Sequence, residues 1–266
     1  MNTETKKAIL VVSFGTSFAD TRAKTIDAIE QDIADAFPEY QVYRAWTSKM
    51  IIAKLKRLEQ LHVFTVCEAM EQMYKDGIRE VIVQPTHVIN GNENDIMKKE
   101  AGSFMDKFDS IQFGSPLLTS DEDLTYVLNS ITEEFADFEK NRTAIVLMGH
   151  GTTHYSNTVY AAMDYRFKDM GHPHVFLGTV EAYPSSTSVL RLLGNYQPKS
   201  VVLAPFMIVA GDHARNDLAG DDPDSWLHQF ERAGYEVTTS LKGLGEYPSI
   251  RQLFIDHVND VIENRE

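Results

Sequence analysis

The sequence contains a single cysteine, Cys67, among 266 residues. That excludes an internal disulfide and any multi-cysteine metal site. Residues 65–70 around it read as helical, so Cys67 is expected to be a small core side chain rather than a nucleophile. Long apolar runs are also lacking: nothing approaches the roughly 18 residues a bilayer-spanning helix needs. The apolar stretch at 8–12 is too short for a signal-peptide core and leads into polar turn residues, which predicts a cytoplasmic protein. Positive charge is scarce, with 25 Lys and Arg against 39 Asp and Glu and a formal charge of −14. This balance argues against nucleic acid and anionic membrane surfaces as partners, since both are bound through clustered Lys and Arg. The phosphate-cradling patterns G-x-x-x-x-G-K-[ST] and G-x-G-x-x-G are absent, as are H-E-x-x-H and G-x-S-x-G. No organic cofactor is expected.

Apolar side chain is plentiful, at 43% of residues, enough for a sizeable core. Strand-like and helix-like segments alternate from end to end. The unbroken apolar run at 8–12 has the character of a strand buried on both faces of a parallel sheet, and 144–148 and 200–204 also read as buried strands. Ile26, Ile29, Ile33 and Phe37 fall at helical spacing within 20–37. Thr65 and Glu68 form a capping-box pattern that starts another helix. The rhythm predicts an α/β protein with right-handed crossovers.

A repeat refines this. Residues 8–17 align without a gap on 144–153, and 81–93 on 201–213, each match joining a buried strand to a Gly-containing loop. Two similar α/β lobes are the economical explanation. We expect lobes at 1–140 and 141–266, each a parallel sheet flanked by helices. The C-terminal helix is allowed to pack back on the first lobe. The repeat makes Phe14 the counterpart of His150 and Glu93 the counterpart of His213.

Sites in open α/β sheets form at the carboxyl ends of strands. His150 follows one such end within Gly149-His150-Gly151, where two glycines would let a flat or bulky ligand approach closely. A structural histidine in a tight turn is the alternative. Glu181 follows a second strand end, facing a cleft or capping the next helix. His213 follows a third, as ligand or solvated loop residue. The neighbouring Asp217, Asp221, Asp222 and Asp224 fit helix capping and solvation better than a calcium loop. Together His150, Glu181 and His213 form a two-imidazole, one-carboxylate set with open positions, suited to Co, Fe, Ni or Zn.

At these residues the chain resembles the anaerobic cobalt chelatases of cobalamin biosynthesis, within the class II chelatase group that includes ferrochelatases. The matching segments are 10–17, 88–91, 148–151, 180–184 and 209–213, with 216–217, 221–226 and 243–246 extending the match. The resemblance implies a chelatase-like fold whose active-site cleft lies between the lobes. It implies insertion of Co²⁺ into sirohydrochlorin, or a related tetrapyrrole, with release of two protons. It places the metal on His150, Glu181 and His213, with His150 and Glu181 catalytic. Fe²⁺ is the nearest alternative metal, making the enzyme a sirohydrochlorin ferrochelatase, and Ni²⁺ or Zn²⁺ would also suit the ligands. A non-enzymatic metal or tetrapyrrole carrier uses the same cleft. Ser13, Phe14, Gly15, Thr16, Glu93, Met207, Gly211 and Asp212 are the expected substrate contacts, and a homo-oligomer stays open.

Overall fold

A computed structural model describes residues 5–139 and 142–264. In chain order the main elements are β1 (Lys7–Ser13), α1 (Ala19–Lys24), α2 (Ile26–Ala36), β2 (Gln41–Trp46), α3 (Lys49–Leu58), α4 (Val66–Lys75), β3 (Glu80–Pro85), α5 (Asn92–Gly102) and β4 (Ser110–Phe113). There follow α6 (Asp121–Glu134), α7 (Ala136–Glu139), β5 (Thr143–Gly149), α8 (Thr158–Asp169), β6 (Val175–Thr179), α9 (Ser186–Tyr196), β7 (Ser200–Pro205), α10 (Trp226–Arg232), β8 (Glu236–Thr239) and α11 (Pro248–Glu263).

The strands form two all-parallel, four-stranded sheets of identical topology, β2-β1-β3-β4 and β6-β5-β7-β8. The chain divides into two compact units, residues 1–119 with 248–266 and residues 120–247. The junction at 119–120 precedes the boundary expected at 140–141, which lies outside the described residues. The reason is α6: Arg166 of α8 pairs with the Asp121 carboxylate and donates to the Asp121 carbonyl at 3.0 Å. Helix α11 belongs to the first unit, where Arg251 meets Asp32 at 2.6 Å and His257 Nδ1 donates to the Ser115 carbonyl at 2.9 Å. His257, on α11, is buried there.

Each sheet is built on a central strand without exposed side chains, Ala8–Val12 in β1 and Ala144–Met148 in β5, all fully buried. Such residues have no solvated face, so their apolar character is continuous rather than alternating. Helices cover the sheets with their apolar sides; Met70 and Met73 of α4 are fully buried in the first core, and Cys67 packs against it. Burial raises the Cys67 thiol above its ordinary range, consistent with a packing role. The expected helix over 20–37 is broken at Thr25, whose hydroxyl donates to the Thr21 carbonyl at 2.7 Å and whose backbone leaves the helical region. Among the described residues no helix is long and apolar enough to cross a membrane.

The two units repeat hydrogen bond for hydrogen bond at the carboxyl ends of their strands. The Thr86 N–H donates to the Val12 carbonyl as that of Phe206 does to Met148. Gly91 donates to Ile89 as Gly211 does to Val209, and Leu117 donates to His87 as Leu244 does to Met207. Most informative, the Ser48 N–H donates to Phe14 as the Glu181 N–H donates to His150. The counterparts of His150, Glu181 and His213 in the first unit are therefore Phe14, Ser48 and Glu93.

Candidate metal centre

The second unit brings His150, Glu181 and His213 together, with one ligand atom from each lying within 4.8 Å of the others. They stand at the ends of β5, β6 and β7, three adjacent strands of one parallel sheet. Backbone bonding ties the first two loops: the Glu181 N–H donates to the His150 carbonyl at 2.9 Å and the Val180 N–H to the Gly149 carbonyl at 3.0 Å. Asn157 joins them again, accepting from the Thr152 N–H at 3.0 Å and donating to the Tyr183 carbonyl at 2.6 Å. This bridging asparagine carries no signal in the sequence.

The Glu181 carboxylate lies 3.9 Å from His150 Nδ1 and 4.0 Å from His213 Nε2. The imidazole rings stand edge to face, 89° apart, with centroids 4.6 Å from each other. All three side chains reach solvent, at 43%, 54% and 31% exposure for His150, Glu181 and His213. A ligand can therefore enter without unfolding the site. Bonds of about 2.0–2.2 Å to imidazole and carboxylate hold neighbouring ligand atoms about 3.0–3.5 Å apart. Binding an ion therefore requires the ligand atoms to draw together from their spacing of up to 4.8 Å.

Hydrogen bonding sets the tautomers. His150 Nδ1 lies 2.8 Å from the Gly151 carbonyl, which only accepts, so Nδ1 carries the proton and Nε2 keeps its lone pair. His213 Nδ1 lies 2.8 Å from the Asp217 carboxylate, which only accepts, so the neutral ring carries its proton on Nδ1 and presents the Nε2 lone pair. Asp217, read in sequence as a capping or solvated residue, is the partner of the His213 ring. Its signal is the i, i+4 spacing from His213 across a π-helical turn, Ala214–Leu218. Asp222 and Ser225 do serve local turns and caps: Asp222 accepts from the Asp224 N–H at 2.8 Å, and Ser225 caps α10.

The glycines flanking His150 answer to protein packing. A Cβ on Gly149 would meet the Tyr160 ring at 2.5 Å, and one on Gly151 would meet Ala182 and Thr179 at 2.9 Å. Gly151 also has a φ of +82°, which side-chain-bearing residues avoid. Tyr160 itself is buried, which raises its phenol to about 12 and keeps it neutral.

Of the expected substrate contacts, Phe14 is 44% exposed and Glu93 is partly exposed in the first turn of α5. Ser13 and Thr16 turn inward, and both are buried. Ser13 accepts from the Thr86 hydroxyl at 2.8 Å and Thr16 from the Phe18 N–H at 3.2 Å. Gly15 backs onto Trp46, whose ring would lie 2.5 Å from an added Cβ. Met207 is partly buried against the second core, whereas Gly211 is partly exposed and Asp212 exposed. His87, the counterpart of Met207, is buried; desolvation pushes its imidazole down to about 4, so it stays neutral.

The cobalt chelatase (CbiK) family model matches residues 7–263. A sirohydrochlorin cobaltochelatase of Salmonella typhimurium is 37% identical over 97% of this chain and 97% of its own length. The sirohydrochlorin cobaltochelatase CbiKC of Nitratidesulfovibrio vulgaris is 29% identical over 97% of this chain and 91% of its own. Among solved structures, SirB from Bacillus subtilis with Fe³⁺ superposes with a TM-score of 0.65 at 14% identity, covering 98% of this chain and 97% of SirB. At that identity the likeness speaks to the two-sheet fold.

Proposed function

The chain belongs to the cobalt chelatase (CbiK) family, and from that premise we propose that it inserts Co²⁺ into sirohydrochlorin at His150, Glu181 and His213, releasing the two pyrrole protons. The observation that carries the reading is the convergence of two imidazoles and one carboxylate at three adjacent strand ends. Co²⁺ must shed most of its water before the macrocycle can take it. Three protein ligands replace part of that shell and leave positions open for pyrrole nitrogen. Imidazole and carboxylate together suit a divalent first-row metal of intermediate softness.

Proton removal is the second requirement. Pyrrole N–H groups are very weak acids in water, so the nearby cation and a base must act together. His150 Nε2, its lone pair freed as the ion passes to the macrocycle, accepts a proton there and, being 43% exposed, passes it to solvent before taking the next. Glu181 holds the metal and lies about 4 Å from both rings, so a proton passes between them through a bridging water. His213 retains the ion from the other side. The substrate's carboxylates need local positive charge on a protein of −14. Arg44 is taken by Asp27 and Glu30. Lys54 is exposed on α3, with its ammonium 5.8 Å from the Phe18 ring. We place the reaction in the cytoplasm, where a lone thiol such as Cys67 stays reduced.

An anoxic absorbance assay of the purified protein with sirohydrochlorin and Co²⁺ tests this. The account predicts the spectrum of the cobalt product over many turnovers, faster than the protein-free control. One equivalent of bound metal or macrocycle without turnover would make it a carrier, and a faster initial rate with Fe²⁺ would make it a ferrochelatase.

A further inference from the structure

The geometry points to Asp217 as a positioning residue for metal capture, acting through His213 rather than touching the ion. The inference rests on the metal site proposed above. His150 and His213 each have Nδ1 on an acceptor at 2.8 Å, but the acceptors differ in kind. His150 donates to a neutral backbone carbonyl. His213 donates to a carboxylate, the stronger acceptor, which fixes the ring's tautomer and raises the electron density at Nε2. The free imidazole has two tautomers of similar energy, and the one protonated at Nε2 has no lone pair there for a metal. Asp217 removes that tautomer from the population. It also completes the local charge balance, since Glu181 and Asp217 together carry the two negative charges that a divalent cation neutralises.

The backbone supports this pairing. Residues 214–218 form a π-helical turn, the wider coil that recurs at functional positions. His213 caps that turn with a helical backbone, so its side chain and that of Asp217 lie on one face, four residues apart. Asp217 is 45% exposed, so as a plain surface ion pair it would contribute little to stability. Its consequence should appear in metal binding instead.

The test compares Asp217→Ala and Asp217→Asn with the unaltered chain, using Co²⁺ titration of the purified protein alongside steady-state kinetics. In D217A the Kd for Co²⁺ is expected to rise about 10–100-fold, the usual effect of losing such a partner. The KM for Co²⁺ should follow, while the KM for sirohydrochlorin and the melting temperature hold. D217N keeps an oxygen acceptor without the charge and should fall between. An unchanged Kd in D217A would overturn the assignment. A lower melting temperature with both KM values raised together would replace it with a structural role. Cobalt affinity that depends on Asp217 in a protein without turnover would sink the insertion reading and leave this one standing; turnover and affinity indifferent to Asp217 would do the reverse.

Discussion

Replacing His150 with alanine should lower cobalt insertion by about 10²–10⁴-fold, the range that a positioned acid–base group contributes. The loss has two sources in one side chain: a metal ligand disappears, and so does the acceptor for the pyrrole protons. The fold should survive, because the imidazole is 43% exposed and its hydrogen bond goes only to the adjacent Gly151 carbonyl. A change in unfolding free energy within about 0.5 kcal/mol is expected for such a side chain. His228→Ala is the matched control in the same unit, since that ring sits on α10 paired with Glu231 at 2.9 Å. Initial rates under anoxic conditions, with urea denaturation of both variants, decide the matter. Equal turnover in His150→Ala and the parent would remove His150 from the chemistry.

The second large effect concerns the backbone under that ring. Gly151→Ala should cost about 1–2 kcal/mol for the left-handed backbone alone. Contacts of 2.9 Å with Ala182 Cβ, the Ala182 nitrogen and Thr179 Cβ then add an overpacking cost of about 1–3 kcal/mol. Relief of those contacts has to move Ala182, the residue after Glu181, so activity should fall together with stability. Gly171→Ala separates the two terms: φ is +91° there, but an added Cβ meets nothing within 4 Å. That variant should lose only about 1–2 kcal/mol and keep full activity. If Gly151→Ala matched Gly171→Ala in both stability and rate, the close-packed turn would not be what holds His150.

Much of the fold could be read from the chain because central parallel strands leave such plain traces. Residues 8–12 and 144–148 are continuous apolar runs since both faces are covered, and the gapless match between them reflects two sheets of the same strand order. The three candidate ligands were legible for a topological reason: each lies at or in the loop beyond the carboxyl end of a buried strand. What escaped depended on contacts between segments. Ser48 as the counterpart of Glu181 was hidden because the crossover from β1 to β2 differs in length from that joining β5 to β6. Asp217 looked like any solvated aspartate until His213 was placed beside it. The inward turn of Ser13 and Thr16 could not be read from strand ends buried on both faces, where pattern does not distinguish sides. The glycines of Gly149-His150-Gly151 suggested room for a ligand, whereas Tyr160, Thr179 and Ala182 occupy the space their side chains would need.

The most direct test is to locate the cobalt ion. Crystals of the protein soaked in Co²⁺ without oxygen, measured at the cobalt absorption edge, should give one strong anomalous peak in the second unit. It should lie about 2.0–2.2 Å from Nε2 of His150, Nε2 of His213 and a Glu181 carboxylate oxygen, bond lengths usual for such ligands. A peak on other residues, or none at these three under saturating Co²⁺, would contradict the account.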